Sequence, residues 1–227
     1  MLKLWNRIRR NAALLIIITF LSIILEGCSL LGIRTTNEAV YTVEKKVGDI
    51  EIRHYERAMT IETYTDKADF RDATGQSFRL LFDYISGANI SANDIAMTAP
   101  VIAEPREGKD TKIAMTNPVI VNPSISNNER KGWVLKFVLP PSFTLANSPL
   151  PTNPLVSLHE VPEKLVAAIS FSGLWRESSY QEQIKKLNDW LIINNYSSVS
   201  LPSYAGYDPP WALPFLRRNE VLIDVQL

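Results

Sequence analysis

"MTIETYTDKADFRDATGQSFRLLFDYIS", Met59 to Ser86, changes its period halfway. Met59, Ile61 and Thr63 alternate with Thr60, Glu62 and Tyr64, the two-residue repeat of a strand with unlike faces. From Asp69 the repeat lengthens. Phe70, Thr74, Phe78, Leu81, Phe82 and Ile85 recur every three or four residues, the apolar stripe of a helix over Asp69–Ser86. Asp66 or Asp69 suits its N-cap, and Gly87 its end. Gly75 in the interior costs roughly 1 kcal/mol relative to alanine, which points to a close approach there.

Upstream, Gly48-Asp49 separates two strand-like runs, Tyr41–Val47 and Ile50–Tyr55, as in a hairpin. Downstream stand two near-copies, "IAMTAPVI" (Ile95–Ile102) and "IAMTNPVI" (Ile113–Ile120), identical at seven of eight positions. Their 18-residue offset suits neighbouring strands joined by a polar loop, Glu104–Lys112. Pro100 and Pro118 each remove a ladder donor, which a strand tolerates at an edge or a bulge. Each copy therefore reads as a strand kinked beside the first helix, with Met97 and Met115 as walls of one pocket. Trp133–Leu139 is a further strand, and Ser142–Pro154 a proline-rich loop. Leu155–Val161 and Lys164–Ser172 read as a second hairpin turned at Pro162-Glu163. Ser178–Asn195 is a second helix with a buried stripe of Tyr180, Ile184, Leu187 and Leu191 and a capping box of Ser179 with Glu182. Val199–Tyr204 and Glu220–Val225 complete the strands. The order strand, helix, strand, strand occurs twice. The expected class is α+β: two βαββ halves sharing one sheet or barrel, as a single domain.

The N-terminus reads differently. Lys3, Arg7, Arg9 and Arg10 precede a 14-residue apolar run, Ala12–Leu25, broken by Thr19 and Ser22. That is the layout of a secretory signal, and it is shorter than the ~20 residues of a membrane span. The run ends at "LEGC", and Cys28 is the chain's one cysteine. This ending resembles a bacterial lipoprotein signal, in which cleavage precedes a cysteine that then carries lipid. Glu26 departs from that pattern, where a small residue is usual. The expected organisation is a signal over 1–27, a tether over 28–39 and a domain over 40–227, lipid-anchored at the cell envelope. The leader holds four of the 24 basic residues and one of the 24 acidic ones, so the remainder carries 20 against 23, a net of −3. No basic excess points to nucleic acid, and no second cysteine allows an internal disulfide.

Five stretches then occur in one order: "YTVEKKVGDIEIRHYE", "GQSFRLLFDYISGAN", "IAMTAPV", "GYDPPW" and "LRRNEVLI". Together they resemble the SOUL haem-binding protein family over roughly Val40 to Leu227. The resemblance implies a distorted antiparallel β-barrel flanked by two helices with pseudo-twofold symmetry. It also implies binding of haem or a related tetrapyrrole, not obligatorily, in an apolar cleft beside the first helix. The resemblance implies two binding modes: in some members the histidine of an Arg-His-Tyr triplet is the proposed axial iron ligand, a role that falls on His54 of Arg53-His54-Tyr55, while others lack it and hold the macrocycle by apolar contacts with basic residues near the propionates. The cleft wall falls on Phe70, Phe78, Leu81, Phe82 and Ile85, with Met97 as an adaptable contact. Much of such a stripe must be core, so only its edge can face a ligand. Where some members place a helix arginine near the propionates this chain has Gly75, leaving Arg71 and Arg79 nearby.

His159, the other histidine, has no ligand-spaced neighbour and reads as structural. There is no Gly-x-Ser-x-Gly, His-Glu-x-x-His, phosphate loop or Gly-x-Gly-x-x-Gly. Asp208 before two prolines reads as a turn residue, and Tyr207 and Trp211 around it as lining a cleft or stapling the turn. Binding rather than catalysis is expected. The alternatives are a general hydrophobic-ligand module, or a hydrolase acting on a cleft-bound apolar molecule. No protein partner is indicated.

Overall fold

The computed structural model describes residues 37–67, 69–90, 95, 97–107, 130–208 and 211–227. In chain order the elements are β1 (Asn37–Glu38), β2 (Tyr41–Val47), β3 (Ile50–Tyr55), β4 (Ala58–Thr65), α1 (Phe70–Ile85), β5 (Thr98–Glu107) and β6 (Arg130–Val138). They continue with β7 (Val156–Val161), β8 (Lys164–Phe171), α2 (Glu177–Ile193), β9 (Ser197–Ser198), β10 (Ser203–Gly206), a 3₁₀ turn (Pro214–Leu216) and β11 (Asn219–Gln226). The strands form one curled half-barrel in the order β2-β3-β8-β11-β10-β5-β6-β4-β7. β1 adds in parallel to β5, and β9 adds to β11. Among the described residues no helix is long and apolar enough to cross a membrane.

The two βαββ halves are β4-α1-β5-β6 and β8-α2-β10-β11. They meet where β5 pairs with β10, through Tyr204↔Ala103 and Gly206↔Val101. The strand before each half is exchanged. β3 leads into β4 yet pairs with β8, while β7 leads into β8 yet pairs with β4. The hairpin expected at Pro162-Glu163 is therefore absent: β7 and β8 lie against different halves. Two adjacent strand-like runs with a tight connection read locally as a hairpin, and only the partner strands decide otherwise. The first hairpin, β2 with β3, does form around Gly48-Asp49.

Asp69 caps α1 by accepting the Asp72 amide at 2.9 Å. The capping box expected for α2 does not form. That helix begins at Glu177 after Arg176, without a side-chain cap. Ser179 thus falls inside its first turn, and Glu182 instead pairs with Lys186 at 2.8 Å. Gly75 meets no close neighbour, because a Cβ there would touch nothing within 4 Å. The close approach belongs to Gly132 in β6, where φ is +141° and a Cβ would overlap the Thr65 carbonyl oxygen.

In β5, Pro100 sits at a bulge: the register against β6 jumps between Thr98 and Val101, and the Ala99–Pro100 peptide is cis. β5 is flanked on both sides, so the bulge rather than an edge accommodates the proline. The strand runs on to Glu107, past the expected start of the polar loop at Glu104. The second octapeptide, with Met115 and Pro118, lies outside the described residues. So do the leader and Cys28.

Both helices cover the same face of the sheet. α1 lies on β4, β6 and β7, and α2 on β8 and β11. The core between helices and sheet is aromatic where the halves meet. Phe70 from α1 stands edge-on to Trp133, Trp175 and Tyr204 at 4.9, 5.1 and 5.6 Å, and Tyr180 from α2 stacks on Tyr204 at 4.3 Å. Edge and offset contacts of this kind add to area burial because of the ring quadrupole.

Candidate functional site

The α1 stripe separates into core and rim. Phe70, Leu81 and Ile85 are buried in the common core. Phe78 is half-buried, edge-on to Phe137 at 5.2 Å, and stacks with Phe82 at 6.0 Å. Phe82 is 47% exposed. Helical spacing puts Arg71, Gly75, Phe78 and Phe82 (steps of four, three and four) on one flank of the helix. This flank offers an exposed cation, a bare backbone position and two stacked rings. Met97 follows the helix in the chain and packs half-buried against the core. Arg79 turns its guanidinium back to the Gly75 carbonyl at 3.2 Å. On the other flank a recess of about 390 Å³ opens between Leu80, Asp83 and Tyr84 of α1 and the loop Pro151–Pro154.

His54 is placed elsewhere. It is half-buried on β3, opposite Thr42 and Leu165. It shares the helix-covered face with Ile52, but at the end of the strand order far from the strands that α1 contacts. Its ring makes no side-chain hydrogen bond among the described residues. His159 is exposed and bonds Ser157 at 2.9 Å.

The residues beside His54 in the triplet turn to the opposite, helix-free face. Arg53 is 1% exposed and grips Glu220, 0% exposed, with two hydrogen bonds of 2.7 and 2.8 Å. Ser170 (2.8 Å), Tyr207 (2.5 Å) and Arg218 (2.9 Å) also donate to Glu220. Arg53 further donates to Glu51 at 2.8 Å and to the Tyr55 hydroxyl at 3.2 Å. Arg218 reaches Glu38 in β1 at 3.0 Å, and Asp208 accepts the Arg218 amide at 2.6 Å. Thus "RHY", far away in sequence, and "GYDPPW" converge on the carboxylate of "RRNEV".

Burial alone would raise the Glu220 pKa. The Arg53 hydrogen bonds and charge, aided by the Arg218 charge, overcome it and hold the carboxyl at about 2. Burial also pushes the Tyr55 hydroxyl up to about 12 and that of Tyr207 well above its ordinary value, the latter helped by the Glu220 charge. The cluster ties β3, β8, β11 and β1 together. Sequence reading missed it. The available signal was a charge flanking the apolar residues of a strand, Arg53 after Ile52 in β3 and Glu220 before Val221 in β11.

The other half carries a looser cluster on the same face. Lys136 bridges Glu104 at 2.8 Å and Glu62 at 3.3 Å. It borders a recess of about 180 Å³ reaching to Tyr55, Pro100, Val166 and Leu222. Burial would lower the Lys136 pKa, but the two carboxylates raise it above the usual lysine range. Among the described residues no group of three or more His, Cys, Asp or Glu is placed to hold a metal ion.

The architecture is thus an internally duplicated α+β half-barrel with an exposed aromatic flank on one helix. The sequence profile described as SOUL heme-binding protein matches residues 36–110 and 103–224, and the chain belongs to that family. Heme-binding protein 1 of Xenopus laevis is 29% identical over 197 residues, covering 85% of this chain and 93% of the relative. Heme-binding protein 2 of Mus musculus is 27% identical over 180 residues, covering 79% of each. Among solved structures, the C-terminal domain of EcmrR has a TM-score of 0.56 at 11% identity, covering 82% of this chain and 98% of that one. An uncharacterized conserved protein from Listeria innocua reaches 0.53 at 12% identity, covering 78% and 92%. These two likenesses show a shared fold.

Proposed function

We propose that this protein is a lipid-anchored binder of haem or a related tetrapyrrole, which it holds against the exposed flank of α1. The observation that carries this reading is the stacked, partly exposed Phe78–Phe82 pair beside Gly75 and Arg71. The stripe from Arg71 to Phe82 rises roughly 16 Å, long enough to lie along a flat macrocycle and its acidic side chains. Gly75 leaves the backbone bare without being required by packing. The residues fit the group: rings and Met97 to contact the macrocycle, and Arg71 to meet a propionate. Haem, when bound, supplies its own iron chemistry; the chain's part is apolar contact, charge pairing and orientation. Family membership and the heme-binding relatives support binding over catalysis. Anchoring through Cys28 is read from the leader alone.

A second mode places His54 on the iron. It is favoured by the half-buried imidazole, which makes no side-chain hydrogen bond among the described residues, since neutral imidazole is a good haem ligand. The test is a haem titration of the full chain. A saturable one-to-one Soret shift, weakened in Phe82→Ala, supports the flank. Absence of saturation overturns tetrapyrrole binding. A spectrum unchanged in His54→Ala excludes axial ligation and leaves the flank standing.

A further inference from the structure

The loop between β10 and β11 is rigid at its base and apolar at its tip. The Tyr207 amide donates to the Arg218 carbonyl at 3.2 Å, Asp208 accepts the Arg218 amide, and Arg217 Nε donates to the Ala212 carbonyl at 2.8 Å. Ala212 is turned inward at 1% exposure. Yet Trp211, Leu213 and Phe215 are 64%, 39% and 69% exposed. A loop held this firmly does not expose two aromatic rings by fraying, and clustered exposed apolar side chains mark an interaction surface.

The place where the N-terminal segment enters the domain identifies what that surface meets. Asn37 and Glu38 pair with Thr98 and Ala99, and Glu38 is held by Arg218, at the base of this same loop. Eight residues lie between Cys28 and Asn37, a reach of at most about 30 Å over nine residue steps. A domain of this size is roughly 40 Å across. The tether is therefore too short to let the domain turn its Asn37 end away from an anchoring bilayer.

We infer that the apex formed by Trp211, Leu213 and Phe215 inserts into the interfacial layer of a lipid bilayer, docking the anchored domain in one orientation. Tryptophan and phenylalanine suit that depth, being apolar in body and, for tryptophan, polar at one edge. The inference rests on the membrane-anchor reading of the N-terminus, and its test separates the two.

Protein processed at Cys28, extracted in detergent from the membranes of expressing cells, is incorporated into vesicles of phosphatidylcholine and phosphatidylglycerol with brominated acyl chains, floated on a density gradient, and its tryptophan emission measured. The expected result is co-flotation, with a loss of emission relative to unbrominated vesicles that disappears when Trp211→Phe is added. Trp133, Trp175 and Trp190, which lie outside this loop, emit in both variants, so the difference between them reports Trp211 alone. Co-flotation with equal quenching in both variants overturns the docking and leaves the anchor standing. Failure to float overturns both. A detergent-stable dimer that Trp211→Ser with Phe215→Ser dissociates, without lipid quenching, assigns the apex to a second copy and overturns the bilayer.

Discussion

The two halves of the sheet carry polar clusters on the same helix-free face, and the clusters behave differently. In the second half, Glu220 is fully enclosed and receives hydrogen bonds from two arginines, a serine and a tyrosine. In the first half, Lys136 stays partly exposed between Glu62 and Glu104 beside an open recess. The topology is the same while the desolvation is not. A charge taken fully out of water persists only if every lone pair and proton is matched. A pair whose side chains keep 14–30% of their surface in water completes part of its solvation there and contributes less. The second half is thus the locked frame, and the first keeps open recesses and the exposed flank of α1.

The largest test of this contrast is Glu220→Gln. It leaves Arg53 buried against a neutral partner, and urea denaturation is expected to show a loss of about 3–5 kcal/mol. Glu104→Gln is expected to cost under about 1 kcal/mol; equal losses would break the contrast. Replacing both partners, Arg53→Met with Glu220→Leu, is expected to recover part of the loss, because the Arg53 charge is then not left alone, while the Tyr207 and Ser170 hydroxyls lose their acceptor.

Acid is expected to act through the same carboxylate. Its folded pKa of about 2 lies below the unfolded value near 4.5. Its contribution is therefore complete above pH 4.5 and is lost as pH falls through 2, on the order of 3 kcal/mol in all. Denaturation midpoints across that window should fall steeply in the wild type and less steeply in Glu220→Gln.

Within α1, Phe70→Ala and Phe82→Ala separate core from rim. The first is expected to cost about 3–5 kcal/mol of stability. The second is expected to cost only about 0.5–1.5 kcal/mol of stability, the value of the ring pair, while lowering haem affinity about tenfold, a change of 1.4 kcal/mol. Comparable stability losses in the two variants would erase that division. The smallest expected effect is a gain. Gly75→Ala, with nothing near the new methyl, should stabilise the helix by about 0.5–1 kcal/mol.

Legibility in the sequence followed interaction range. The helix after β4 was readable to within a residue because its period and its Asp69 cap are local. The doubled octapeptide announced Pro100 as a break in a ladder, and a bulge is there. The β7–β8 hairpin was misread because turn chemistry cannot show that neighbouring strands belong to opposite halves. The α2 capping box was misread because four residues of pattern compete with an earlier helix start. The stripe through Phe70 and Phe82 was correct as a stripe, yet periodicity assigns a face and not a depth. "RHY" drew attention to its histidine, while Arg53 beside it makes the most enclosed ion pair among the described residues, with Glu220.

Periods, caps and the repeated strand-helix-strand-strand order thus established the elements, the class and the duplication, since each depends on residues within a few positions of one another. Which strands exchange partners, which rings of α1 are sealed under the helices, and which carboxylate gathers Arg53, Tyr207 and Arg218 were settled only by tertiary packing. Burial depends on everything that lies above a side chain, and the groups that bond Glu220 come from 2, 13, 50 and 167 residues away in the chain.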